Sequence, residues 1–357
     1  MVRRRKQRQF KNYSEELDQV LNKISIILPV YNCEGYIHQS IDSILAQSYQ
    51  NFELIIFNDA STDSTLDIIN TYKDSRIRLI NSPENKGYVA HLNHGLNIAR
   101  GKYIARMDAD DVCMPDRLKK QISFLEQNPN YDICGTWVEP IGASNDKNIW
   151  KLPSTHNSII IHQFFYNTAL AHPTVMLRKS FVDEHNLRYN HNFMPAEDYE
   201  LWTRISKLTK FKNISTPLLK YRQHPHQISQ VKKDQKQAAL KKIRSAQLQL
   251  LDIIPTQEEL DISLIISNRK FSHLSNHLID VKRWLTKLHE SNQKLGMFDQ
   301  FSFKQELGYL WWMICTCTAR SNRKNTIKLY SNSPLSSFYL PTKSALLKFY
   351  IKSYFGF

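Results

Sequence analysis

Between residues 24 and about 127, short apolar, β-rich runs alternate with stretches whose apolar residues recur at helical spacing; no other feature restricts the fold as much. Ile24 to Val30 reads as a strand buried on both faces, and Phe52 to Phe57, Arg76 to Ile80 and Tyr103 to Met107 repeat the pattern. Between them, Ile37, Ile41, Ile44 and Leu45 mark one helix. Leu66, Ile68 and Ile69 mark a second, with Ser61 or Asp63 as candidate caps, and Val89 to Ile98 form a third that stops near Gly101. Such alternation with short connections predicts an α/β fold, a mostly parallel sheet flanked by helices. Ligands of such sheets bind beyond the carboxyl ends of the strands, so the residues directly after Val30, Phe57, Ile80 and Met107 are the ones to inspect.

Three of those positions carry polar groups suited to a nucleotide diphosphate. Pro29-Val30-Tyr31-Asn32 closes the first strand, Asn58-Asp59-Ala60-Ser61-Thr62-Asp63 follows the second, and Asp108-Ala109-Asp110-Asp111 follows the fourth. Three carboxylates within four residues are costly unless solvated or neutralised. At a strand end facing a cleft they suggest a divalent cation, since Mg²⁺ and Mn²⁺ prefer oxygen ligands and bridge to phosphate. An acidic cluster placed to favour a helix N-terminus is the competing explanation. A Gly-x-Gly-x-x-Gly turn is missing between Pro29 and Gly35, which argues against a dinucleotide-binding dehydrogenase, and no Gly-rich phosphate loop supports a nucleotidyltransferase.

Five strings, in order, make residues 24 to about 225 resemble the family-2 glycosyltransferases, which have the nucleotide-sugar-binding GT-A fold. They are Ser25 to Asn32, Asn58 to Asp63, Asn85-Lys86-Gly87, Ala105 to Asp111, and Glu197-Asp198-Tyr199-Glu200-Leu201-Trp202. The branch most similar builds bacterial lipopolysaccharide, capsule or other surface glycans. The resemblance implies an inverting, metal-dependent transfer of a hexose or N-acetylhexosamine from a nucleotide sugar, with UDP favoured, to a glycan or lipid-linked glycan acceptor. It implies that Tyr31 stacks on the donor base and that Asp59 accepts from its imide N–H. Asp108 and Asp110 match the family's DxD motif, with Asp110 as the direct ligand of Mn²⁺ or Mg²⁺ and Asp111 as an added member on the donor side. Asp198 matches the catalytic base. Adjacent helical residues point about 100° apart, so only one of Glu197 and Asp198 faces the reacting centre. His224 matches a histidine that reaches the metal or diphosphate, although His226 competes for that role. His172-Pro173-Thr174 also resembles a family string, on the acceptor side or as packing. Pro29, Asn32, Lys86 and Arg106 complete the expected donor-binding set. One departure stands out. His91-Leu92-Asn93 puts Leu92 where many relatives carry an arginine, and Lys86 or Arg106 is the candidate to compensate.

The resemblance stops near residue 230. The expected layout is a basic N-terminal extension (1–22), a GT-A catalytic domain (23–230) and a helical, basic, aromatic-rich region (231–357). The formal net charge is +15, and from residue 230 onward 20 Lys/Arg face 9 Asp/Glu. A basic field of this kind attracts nucleic acid, anionic lipid or acidic glycan alike. Acidic clusters at strand ends speak against nucleic acid, so none is expected as a partner; a basic nucleic-acid-binding protein or a non-catalytic nucleotide-sugar-binding relative are the alternatives. Tyr309, Trp311, Trp312, Phe338, Tyr339, Phe349, Tyr350, Tyr354 and Phe355, interleaved with Lys and Arg, suit a membrane interface, a helical cap packed on the catalytic domain, or a protein partner. Cys33, Cys113, Cys134, Cys315 and Cys317 match no zinc module and read as reduced thiols. Arg3-Arg4-Arg5-Lys6 is followed by no apolar signal core, and Leu307 to Ala319 is too short to span a bilayer. The expectation is a cytoplasmic enzyme, peripheral on the inner face of the plasma membrane if the third region docks there.

Overall fold

The computed structural model describes residues 23–142, 148–225, 227–319 and 323–355. The basic extension expected at 1–22, His226, and the side chains of Tyr354 and Phe355 lie outside what is described. The described residues form two compact units, one within 23–155 and 170–233, the other within 156–169 and 234–355.

The first unit is built on one eight-stranded sheet. Its strands are β1 (Ile24–Val30), β2 (Phe52–Asn58), β3 (Ile77–Asn81), β4 (Tyr103–Arg106), β5 (Val112–Cys113), β6 (Tyr131–Gly142), β7 (Met176–Arg178) and β8 (Lys210–Gln223). They lie in the order β3-β2-β1-β4-β7-β6-β8-β5. β3, β2, β1 and β4 run parallel, with Ile24 opposite Phe52 and Tyr103, and Val30 opposite Asn58. Every residue of β1 and β2 is buried, which is why both read as unbroken apolar runs rather than as alternating ones. The crossovers are helices α1 (Ile37–Leu45), α2 (Thr65–Thr71) and α3 (Tyr88–Ile98), followed after β4 by α4 (Arg117–Gln127). The N-cap of α2 is Ser64 and not Ser61 or Asp63 as expected, and its side chain makes no capping bond; Asp63 Oδ1, one residue earlier, accepts the Thr65 N–H at 3.0 Å. Gly101 is needed for close approach: a Cβ there would lie 2.5 Å from the Ser25 backbone nitrogen. Strand order reverses between β1 and β4, so the carboxyl ends of these two strands open the crevice where a doubly wound sheet binds its ligand.

Beyond β4 the parallel rule lapses. β7 pairs antiparallel with both β4 and β6, and β6 pairs parallel with β8 over a long, shifted register. Helices α6 (Lys179–Glu184) and α7 (Glu197–Arg204) lie in the connection between β7 and β8, and α8 (Ile228–Val231) follows β8.

The second unit is helical: α5 (His156–Phe165), α9 (Lys233–Gln249), α10 (Gln257–Ser267), α11 (Leu278–Leu295), α12 (Gln300–Thr318), α13 (Arg323–Ser331) and α14 (Lys343–Phe355). Its core is aromatic. Phe298 stacks on Phe303 at 5.0 Å, Phe164 meets both, and Trp284 and Trp311 are fully buried. α10 opens on a complete capping box, with Thr256 accepting from Glu259 N–H and Glu259 answering to Thr256 N–H. α11 closes on Gly296 in the left-handed region, φ 63°. Among the described residues, no helix is long and apolar enough to cross a membrane.

Candidate active site

The loops after β1 and β2 are tied to each other. Asn32 sits in the left-handed region (φ 47°), where asparagine is tolerated. This aims its amide oxygen at the Thr62 N–H (2.9 Å), while its own N–H donates to Ser61 Oγ (3.1 Å). Cys33 N–H donates to Thr65 Oγ1, Glu34 N–H to Asp63 Oδ2, and Ser64 N–H to Glu34 Oε2. Pro29 is buried inside β1, and Tyr31, next beyond that strand, is 48% exposed, its ring free for a flat ligand.

Asp59 is buried and holds the loop before α3. Its Oδ1 accepts from Lys86 N–H (2.7 Å) and His91 Nε2 (2.7 Å), and its Oδ2 from Gly87 N–H (2.9 Å). A carboxylate offers about four lone-pair directions, so three are used and one remains on Oδ2. In the sequence His91 is one polar residue of an ordinary helical run, with no sign of its partner 32 residues away. Leu92 itself is 1% exposed and belongs to the core, leaving no room for a charged side chain. The Lys86 ammonium pairs with Glu84 at 3.8 Å and not with an acid of the strand ends.

At the end of β4 the three aspartates converge. One carboxylate oxygen from each of Asp108, Asp110 and Asp111 lies within 4.8 Å of the others. β8 brings His224 to the same place, its Nε2 2.9 Å from Asp110 Oδ2. His224, 114 residues beyond Asp110 in sequence, thus joins the three aspartates in one cluster. Asp111 is fully buried; Oδ1 accepts from Arg222 N–H at 2.8 Å, and Oδ2 has no donor. Burial, and then the charges of Asp108 and Asp110, hold the Asp111 carboxyl well above the usual aspartate range. Burial also raises Asp108, although Arg106 donates to it through Nη1. Arg117, buried beneath, donates through Nη2 to the Arg106 carbonyl at 2.6 Å. Burial and the nearby Asp110 push the Cys33 thiol up to about 12, so it stays protonated. An orphaned buried carboxylate oxygen beside two further carboxylates and an imidazole is a donor set that a hard divalent cation satisfies, so the residues fit Mn²⁺ or Mg²⁺.

The second acidic group opens α7. Glu197 is 3% exposed and accepts from Tyr88 OH at 2.8 Å, whereas Asp198 is only half-buried. Burial, and then the charge of Asp198, raise the Glu197 carboxyl to about 7. His172 stands behind it, Nδ1 3.9 Å from Glu197 Oε1 and Nε2 3.0 Å from Tyr189 OH. Burial holds this imidazole well below its ordinary pKa, hence neutral. Tyr88, Tyr189, Arg117 and Arg222 gave no sequence signal, since what they do depends on partners up to 111 residues away.

Comparison with known proteins fits this geometry. A model of the family described as Glycosyl transferase family 2 matches residues 25–187. A glycosyltransferase of Haemophilus influenzae is 37% identical over 232 residues, 62% of this chain and 72% of that protein. The chain belongs to glycosyltransferase family 2. Another relative, the UDP-Glc:alpha-D-GlcNAc-diphosphoundecaprenol beta-1,3-glucosyltransferase WfaP of Escherichia coli, is 35% identical over 208 residues, 58% of this chain and 79% of its own length. The crystal structure of S. aureus TarS in complex with UDP-GlcNAc shares the fold at a TM-score of 0.54 and 18% identity, covering 86% of this chain and 89% of that one. In this glycosyltransferase, then, the GT-A architecture expected from the sequence is the one found, with the acidic cluster at its topological switch point.

Proposed function

We propose that this glycosyltransferase is an inverting, metal-dependent hexosyl- or N-acetylhexosaminyltransferase that uses a UDP-sugar and a lipid-linked glycan acceptor in bacterial surface polysaccharide or lipopolysaccharide synthesis. The observation that carries the reading is the meeting of Asp108, Asp110 and Asp111 with His224 at the switch point, His224 Nε2 being 2.9 Å from Asp110 Oδ2. Two relatives support the substrate class: WfaP is named for a UDP-glucose donor and a diphosphoundecaprenol-linked acceptor, and TarS has been crystallised with UDP-GlcNAc.

In this reading Tyr31 stacks on uracil, and the remaining lone pair of Asp59 Oδ2 accepts the imide N–H. Asp110 and His224 would hold Mn²⁺ or Mg²⁺, with Asp108 and Asp111 around them. When bound, the ion would supply positive charge that offsets the charge on the departing nucleotide. Asp198 takes the proton from the acceptor hydroxyl while that oxygen attacks the anomeric carbon from the face opposite the nucleotide. Glu197, raised to about 7 by burial and then by the charge of Asp198, keeps its proton up to about that pH. The protein would work at the cytoplasmic face of the plasma membrane.

A donor screen tests the proposal, with nucleotide release followed in the absence of acceptor and in the presence of Mn²⁺ or Mg²⁺. Slow hydrolysis of one UDP-sugar, lost on chelation and in Asp110→Ala, is the expected result. Preference for a different nucleotide, or no calorimetric binding of UDP with either metal, would overturn it.

A further inference from the structure

We propose that the outward face of α14 docks on an anionic lipid bilayer. The 51 residues after Glu306 contain seven Lys/Arg and no Asp or Glu. Within that stretch, α14 is fixed by one side. Phe349 is 1% exposed, with ring centres 5.3 Å from both Trp312 and Tyr330, and Ser353 is fully buried. At 100° per residue, this anchoring turns Lys343, Leu347, Lys348 and Ile351 the other way. Leu347 is 60% exposed and Ile351 43%, and Leu340, just ahead of the helix, is 84% exposed. Lys343 and Lys348 are exposed beside them, whereas Lys352 is held by the Thr316 carbonyl at 3.1 Å.

A single exposed leucine needs no explanation. Here two large aliphatic side chains, Leu347 and Ile351, fall on one helix face bordered by lysines, with the exposed Leu340 just ahead of the helix, in a segment that carries no anion of its own. That arrangement is complementary to a surface with negative headgroups above an apolar layer. The aliphatic side chains enter the acyl boundary, and the lysine stems lie along it with their ammonium groups at the headgroups. With 13 residues, α14 falls short of the roughly 20 needed to span the hydrocarbon, so it lies in the interface plane. The inference concerns attachment alone and does not depend on the donor or the acceptor.

The test is flotation of the full chain with vesicles of phosphatidylglycerol and phosphatidylcholine, compared with phosphatidylcholine alone. The expected result is flotation with the anionic vesicles, weakened by salt, and little with the neutral ones. Leu347→Glu combined with Ile351→Glu should lower vesicle affinity about tenfold, and Lys343→Glu with Lys348→Glu should abolish the preference for anionic lipid. Unchanged thermal melting and donor hydrolysis would show that these variants fold. If the helix variants melted early, Leu340→Ser, which lies outside the helix, would take their place. Absence of flotation with anionic vesicles, or undiminished flotation of folded variants, would overturn the proposal. So would a dimer in sedimentation velocity that Leu347→Glu dissolves, since the face would then be a contact between copies.

Discussion

At the end of β4, three aspartates share a space in which no two of the converging oxygens lie more than 4.8 Å apart; at the start of α7, Glu197 and Asp198 are neighbours along one helix. Both regions concentrate negative charge in a partly dry environment, and in both burial raises a carboxyl, Asp111 in one and Glu197 in the other; they differ in the partners they add. The β4 group leans on cationic and polar partners (Arg106 on Asp108, Arg222 N–H on Asp111, His224 on Asp110) and still leaves Asp111 Oδ2 without a donor. In the α7 group, burial and the charge of Asp198 keep a proton on Glu197 up to about pH 7, opposed by the Tyr88 hydroxyl, whose hydrogen bond favours the ionised form. The first arrangement is suited to an added cation, while the second holds a carboxyl raised to about 7, Glu197, beside Asp198. In the proposed reading, the group with cationic partners and an unpartnered oxygen is the ligand site, and the group on α7 is the proton-transfer site.

Four substitutions break or sharpen that contrast. Asp198→Asn should have the largest effect, lowering transfer on the order of 10³-fold while UDP affinity in the presence of metal stays unchanged, as kinetics and calorimetry would show. Asp110→Ala should cost transfer at least about 100-fold, and unlike Asp198→Asn it should also remove the metal dependence of UDP binding. If both variants lost nucleotide affinity equally, the two regions would not have separate tasks.

Glu197→Gln tests the proton. Unfolded, Glu197 titrates near 4.5, and folded at about 7. Between these values the folded state binds more protons than the unfolded one, so stability falls as pH rises from 4.5 to 7 and is level above that window. The glutamine variant should lack this fall and gain up to about 3 kcal/mol above pH 7, measured by denaturant midpoints across the range. Smallest should be Tyr88→Phe, which removes the hydroxyl on Glu197 Oε2 and costs about 1–2 kcal/mol. It should also move the fall in stability to a higher pH, because a hydrogen bond to the ionised form is lost.

The first half of the catalytic unit was legible because β1, β2 and β4 are buried on both faces and their crossovers are regular helices. The strand-end acids followed from that alternation, and the resemblance added the pairing of His224 with Asp110, which the structure brings into contact. Legibility failed where topology departs from alternation. β6 and β8 pair in parallel across a connection containing an excursion into the other unit, and residues 156–169 carry no mark of belonging with residues 234–357. Phe164 joins the aromatic core through Phe298 and Phe303, a contact across about 135 residues that no local period encodes. His91 and Tyr88 were hidden for a related reason. Both lie on α3 in an ordinary helical run, and only the fold shows that one turns to Asp59 and the other to Glu197.

The ties between the loops after β1 and β2 bear on the kinetics of capture. Asn32 to Thr62, Cys33 to Thr65 and Glu34 to both Asp63 and Ser64 lash two segments together before any ligand arrives. The conformational freedom of those segments is lost on folding and need not be lost again on binding. Nucleotide association through this wall should therefore follow a single exponential whose rate rises linearly with concentration, without the plateau that a loop-ordering step imposes.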